Sequence, residues 1–83
     1  MQVADYRMEE IEVPHDCDGV GQTLEEVRGA SSIVALRRRD GRLEPQPAPS
    51  TVIESGDMLV ALGSPDALER LERIFQPIGA AKT

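Results

Sequence analysis

The chain has 83 residues, enough for one small domain that buries only about 60–65 % of the surface its unfolded chain exposes. Nine basic against fifteen acidic residues give a net charge of -6, which argues against a non-specific nucleic-acid surface and gives no help in binding anionic lipid. No apolar run is long enough for a membrane span or a signal peptide. We therefore predict no nucleic acid polymer as a partner and no direct membrane insertion.

The first predicted elements are a strand and a short helix. Ile11 and Val13 have the two-residue spacing of a half-buried strand, which we place at residues 7–13 after a ragged or disordered start at residues 1–6. Thr23 and Glu26 form a capping-box pattern, which predicts a helix of about two turns that ends at Gly29.

The loop between these elements holds the only cysteine and the only histidine, Cys17 and His15. A single cysteine excludes an internal disulfide, and residues two positions apart in a loop are a poor nucleophile and base. The carboxylates of the adjacent acidic residues 9–10 and 25–26 point apart, because neighbouring side chains in a strand or helix point in different directions. They therefore do not form a catalytic pair. We therefore predict no enzyme, no catalytic residue, no metal site and no cofactor.

A second strand is predicted at residues 32–36, where four consecutive residues are apolar. Continuous hydrophobicity indicates a strand covered on both faces, but two short helices cannot cover both, so we predict that something outside the monomer covers the second face. Asp40 and Gly41 then favour a two-residue hairpin turn. The four arginines at residues 37–42 are either solvated hairpin residues or contacts for an anion, and both interpretations stay open here.

The second half of the chain predicts an extended connector, a buried strand and a helix. Three prolines at residues 45–49 exclude a central strand. Gly56 and Asp57 form an entry turn to the apolar run at residues 58–62, which we predict to be buried on both faces. Ser64 and Pro65 are preferred at a helix start, and the helix is predicted at residues 66–75, before a tail at residues 77–83.

These elements predict an α+β domain with a small, mostly antiparallel β-sheet and two helices that dimerises through its sheet surface. Four segments in this order resemble the TrkA-C domain, the C-terminal part of the RCK regulator of potassium conductance. They are residues 21–26 (GQTLEE), 32–38 (SIVALRR), 47–53 (PAPSTVI) and 54–63 (ESGDMLVALG). The resemblance places a TrkA-C domain at residues 7–76. The sequence leaves open whether the chain is a whole protein or an excised piece, and the bare start at Met1 without a nucleotide-binding or membrane segment favours a piece.

The resemblance implies a cytoplasmic, ligand-sensing homodimer that regulates a potassium channel, a transporter or a cation/proton antiporter. In some members a small anionic ligand, notably cyclic di-AMP, lies across the dimer interface. The positions here that match its binding residues are Val34, Ala35, Leu36, Arg37, Gln46 and Pro47. A doubly charged ligand at this acidic dimer would rely on Arg37, Arg38 or Arg39. Gln46 stands where the family often has Asn. The alternative is a structural adaptor that dimerises without a ligand.

Overall fold

A computed structural model describes residues 5–78. Its elements are β1 (Arg7–Glu12), α1 (Leu24–Val27), β2 (Ser32–Arg37), β3 (Leu43–Pro45), β4 (Met58–Gly63) and α2 (Pro65–Ile74). The predicted fold class, an antiparallel sheet with two helices, is confirmed. Most of the predicted ragged start and most of the predicted tail, residues 1–4 and 79–83, lie outside the described residues. No helix among residues 5–78 has the length and apolar character needed to cross a membrane.

The central strand β4 pairs with β1 on one side and β2 on the other. The strand order is β1-β4-β2-β3, and all pairs are antiparallel. Along β4, Leu59 and Ala61 are fully buried, whereas Met58 and Val60 are only half-buried. The prediction that this strand is buried on both faces is therefore wrong for a single chain, because the rest of the chain covers only one face of the sheet.

Both helices lie on that covered face. Leu68 and Leu71 of α2 pack with Leu59 of β4 and with Leu24 of α1 in one hydrophobic cluster. The start of α2 is as predicted: Pro65 is its first residue, and the Ser64 side chain accepts a hydrogen bond from the Ala67 N–H at 3.2 Å. This cap fixes the direction in which α2 returns across the sheet.

The proline-rich connector completes the start of α1. The predicted capping box is present, with the Thr23 hydroxyl and the Glu26 carboxylate each accepting from the other residue's N–H. The two N–H groups that the box leaves open, those of Leu24 and Glu25, donate to the carbonyls of Thr51 and Pro49 at 3.0 and 2.9 Å. The helix forms one turn instead of the predicted two, and it ends at the C-cap Arg28, directly before Gly29 with its left-handed φ of +56°.

One further local prediction differs from the structure. The β2–β3 turn is longer than a two-residue turn, since the Arg38 N–H donates to Arg42 and the Gly41 N–H donates back to Arg38. Gly41 has φ +91°, which lets the third turn residue adopt the left-handed conformation. Cys17 belongs to the hydrophobic core and is 8 % exposed, and its thiol donates to the Pro14 carbonyl at 3.4 Å.

Candidate ligand-binding surface

The sheet face opposite the helices, here called the bare face, is defined by the strand register. Residues directly opposite each other in antiparallel strands point to the same side. The residues of this face form three rows across the sheet: Met8, Leu62 and Ser32; Glu10, Val60, Ala35 and Pro45; Glu12, Met58, Arg37 and Leu43. The middle of the bare face is therefore apolar, and its carboxylates lie on the β1 edge.

The apolar part of the bare face remains accessible in the single chain. Met8 is 61 % exposed and Leu43 is 60 % exposed, at opposite edges of the sheet. Between them, Val60 and Ala35 are half-buried only by their neighbours in the sheet. Contiguous exposed apolar surface of this kind is typical of interaction sites.

Three of the predicted ligand residues lie next to each other at the β2–β3 edge. The register of β2 against β4 shifts between Ile33 and Ala35, so Val34 is the extra residue of a β-bulge. Its carbonyl accepts a hydrogen bond from the Gln46 N–H at 3.0 Å, which brings Gln46 and Pro47 beside it. Gln46 has φ +49°, the left-handed conformation that Asn tolerates better than Gln.

A groove borders this cluster. It has a volume of about 270 Å³, and Pro47 forms part of its wall. The other lining residues come from α1, the start of β2 and the connector: Leu24, Glu25, Arg28, Ser32, Ile33 and Pro49. The predicted residues near Pro47 therefore adjoin a concavity on the edge of the sheet.

Leu36 and Arg37 are neighbours in β2, and the strand sends their side chains to opposite faces. Leu36 is fully buried and opposite Leu59, on the covered face. Its side chain therefore belongs to the hydrophobic core and not to the accessible surface. Arg37 is exposed on the bare face, and its guanidinium lies 3.9 Å from the Met58 sulfur. Among residues 5–78, Arg37 has no carboxylate partner, so its charge is available to an anion.

Arg38 is held inside the protein by three acceptors. Its guanidinium donates to the Asp57 carboxylate at 2.8 Å, to the Glu44 carboxylate at 3.2 Å and to the Val52 carbonyl at 3.2 Å. Burial lowers the pKa of Arg38, but its hydrogen bond to Glu44 and the negative charges of Asp57 and Glu44 outweigh burial and raise that pKa. The donors of Arg38 are thus engaged within the chain, in contrast to those of Arg37.

The Arg38–Asp57 ion pair was not predicted from the sequence. Within the entry turn, the Asp57 carboxylate also accepts a hydrogen bond from the Glu54 N–H at 2.8 Å. The signal for the ion pair is an aspartate directly before an apolar strand, where a buried carboxylate needs a cation. Sequence alone does not tell which of several arginines supplies that cation.

The described residues offer no arrangement for metal binding. No group of three or more His, Cys, Asp or Glu side chains within residues 5–78 is placed to hold a metal ion. His15 is exposed, whereas the Cys17 thiol is buried against the Pro14 carbonyl. Fold and surface together define a small α+β binding module built around one bare sheet face.

The family of this module follows from comparison with known proteins. The chain belongs to the TrkA-C domain family, a family of regulatory domains, whose model matches residues 8–76. The predicted family is thereby confirmed. No curated protein matches the chain.

Solved structures with the same fold include two of BusR and one of a channel. The RCK_C domain dimer of S. agalactiae BusR in complex with c-di-AMP is 29 % identical, with a TM-score of 0.70, over 82 % of this chain and 93 % of that chain. S. agalactiae BusR with its busA-promoter DNA is 26 % identical, with a TM-score of 0.72, over 90 % of this chain but only 39 % of that chain. The GsuK channel bound to NAD shares the fold, at 22 % identity and a TM-score of 0.67, over 94 % of this chain and 14 % of that chain.

Proposed function

We propose that this chain is a dimerising regulatory domain that senses a small anionic effector, with cyclic di-AMP as the first candidate. The observation that carries the proposal is the 29 % identity to a BusR domain dimer in complex with c-di-AMP, over 93 % of that domain. The bare face supports it independently, because a domain of this size gains stability by burying exposed apolar residues such as Met8 and Leu43 in a second copy.

Symmetry explains why a dimer suits this ligand. A two-fold dimer presents the same patch twice, and c-di-AMP is itself made of two equal halves. Each protomer then needs only half a site. In our proposal Val34, Ala35 and Pro47 offer apolar contacts to an adenine.

The polar side chains take two different roles in the proposed site. Arg37 lies on the bare face without a carboxylate partner among residues 5–78, and we assign to it the ligand's phosphate. The exposed side-chain amide of Gln46 provides a donor and an acceptor for a base edge. Leu36 and Arg38 act as positioning residues, since their side chains are engaged inside the protein.

The regulatory step we propose is a population shift. A ligand that bridges two protomers favours one relative orientation, and an attached domain converts this preference into activity. Such domains occur in GsuK, a channel, and in BusR, which binds its promoter DNA. We propose a potassium or other cation channel, transporter or antiporter as the membrane partner, with the domain on the cytosolic side, by analogy with the GsuK channel.

Calorimetric titration of the chain with c-di-AMP, ATP, NADH and calcium tests the ligand. We expect saturable binding of c-di-AMP with one molecule per two chains. Arg37→Ala should weaken it about tenfold or more, because a charge-assisted hydrogen bond is lost. The matched control is Arg70→Ala, which removes an exposed arginine of α2 that has no ion pair among the described residues. Absence of heat and of a thermal shift with all four compounds would refute ligand sensing and leave the structural adaptor.

Sedimentation of the ligand-free chain tests the dimer separately. Leu43→Glu places a charge on the exposed edge of the bare face, and we expect it to shift the chain towards the monomer while its circular dichroism is unchanged. Ile78→Glu is the matched control, since Ile78 is 57 % exposed and is not a residue of the bare face. A parent chain that sediments as a monomer with and without c-di-AMP contradicts the proposal.

A further inference from the structure

A second concavity lies at the end of the sheet, away from Pro47. It has a volume of about 350 Å³ and lies between the β2–β3 hairpin, the turn at Gly56 and the end of β1. Its lining residues are Glu12, Val13, Arg37, Arg38, Arg39, Gly41, Gly56, Asp57 and Met58. Three guanidinium groups therefore share one small concavity in a chain whose net charge is -6.

Arg39 is fixed at the wall of this concavity. Its guanidinium donates to the Ser55 hydroxyl at 2.9 Å. Its stem lies across Gly56, where an added Cβ would approach the Arg39 Nε to 2.7 Å. The absence of a side chain at Gly56 thus lets Arg39 lie against the turn, with its remaining N–H groups free to bind a ligand.

The charges around the concavity favour an anion. The Arg38 charge is compensated by Asp57 at 2.8 Å and by Glu44, which lies outside the lining, at 3.2 Å. Neither Arg37 nor Arg39 has a carboxylate partner within residues 5–78, and Glu12 is the one other acidic residue in the lining. Counted over the lining residues alone, the positive charges exceed the negative charges by one at neutral pH, and the arginine fork matches the geometry of an oxyanion.

We propose that this concavity binds a phosphate or another small oxyanion between Arg37 and Arg39. This site is distinct from the Val34–Gln46–Pro47 cluster. Arg37 borders both sites, but Arg39 belongs only to the concavity, so its substitution separates the two proposals. The oxyanion is a free ion or the terminal phosphate of a nucleotide, because both present the same oxygens to the arginines.

Titration with sodium phosphate, followed by amide NMR against sodium chloride of equal ionic strength, tests this proposal. We expect saturable shifts at the amides of Gly41 and Gly56, which line the concavity, and none at Gly29. Arg39→Ala should weaken the binding about tenfold and Arg39→Lys by less, because lysine keeps the charge but lacks the fork. Arg42→Ala is the control, since Arg42 is an exposed arginine of the same hairpin, already paired with Asp40 at 3.5 Å.

Parallel titrations with AMP and adenosine identify the source of the phosphate. Stronger binding of AMP than of inorganic phosphate, with no shift by adenosine, assigns a nucleotide, whereas equal affinities assign the free ion. The proposal is overturned if phosphate causes no saturable shift, or if Arg39→Ala and Arg42→Ala weaken binding equally. Neither result changes the expectation for c-di-AMP on the bare face, since that test depends on Arg37 and the oligomeric state.

Discussion

Arg38→Met tests the role of the buried ion pair in the stability of the domain. The variant keeps an unbranched side chain of similar length but removes the guanidinium. Asp57 is 2 % exposed and would then keep only the Glu54 N–H as a donor to its carboxylate. Glu44 and the Val52 carbonyl would also lose their bond to Arg38. The main cost is the burial of a carboxylate without its cation.

The expected loss is large compared with the total stability. Removing one partner of a buried ion pair costs about 3–5 kcal/mol, and the Arg38 and Asp57 side chains are only 15 % and 1 % exposed. A domain of this length has a free energy of unfolding of roughly 4–12 kcal/mol. The Arg42–Asp40 pair provides the contrast: its side chains are 69 % and 65 % exposed, so Arg42→Met should cost less than about 1 kcal/mol.

Urea unfolding followed by circular dichroism, at one fixed protomer concentration, measures both variants. Asp57→Asn and the double variant Arg38→Met/Asp57→Asn complete a double-mutant cycle, and we expect a coupling energy of about 1–3 kcal/mol. The ion pair does not stabilise the fold if the free energy of unfolding of Arg38→Met lies within about 1 kcal/mol of the parent value, or if it equals that of Arg42→Met. A stable Arg38→Met chain that has lost only c-di-AMP binding would instead place Arg38 in the ligand site.

Three smaller changes test other contacts. Gly19→Ala should cost about 1–3 kcal/mol, because a Cβ at this position would overlap the Phe75 ring. Gln46→Asn should stabilise the chain by about 0.5 kcal/mol, since Asn accepts the left-handed φ of +49° more readily. The hydrogen bond to Glu9, then burial and the Glu9 charge, raise the pKa of Glu72, so this pair stabilises the fold at acidic pH and loses that contribution as pH rises through the raised pKa. Glu72→Gln should therefore raise the unfolding temperature at pH 7 and have little effect at pH 4.

Each of these changes has a matched control. Gly19→Ala should cost less when Phe75 is already leucine, and an equal cost in both backgrounds would contradict the ring contact. Gln76→Asn makes the same exchange at a described residue whose φ is not positive, so an equal gain there would remove the backbone explanation. Glu10→Gln removes an exposed β1 carboxylate on the other face of the sheet, and an equal effect would mean that only net charge matters.

The sequence alone predicted the elements and their starts, because these features depend on residues close together in the chain. A capping box joins residues three positions apart, and the Ser64-Pro65 pair starts α2 through its own turn. Gly56 has the positive φ, +89°, that its place in a turn predicts. The family was also predicted from four short sequence segments, and the family model that matches residues 8–76 confirms it.

Only the tertiary structure decided what the side chains contact. Arg37 and Arg38 are neighbours with identical side chains, but strand alternation places one on the bare face and pairs the other with Asp57, 19 residues away. The bulge at Val34 and the left-handed Gln46 arise where β2 meets the connector. Partners that are distant in the chain are chosen by how the strands pack, and the apolar pattern of β4 could not tell which of its faces the helices leave bare.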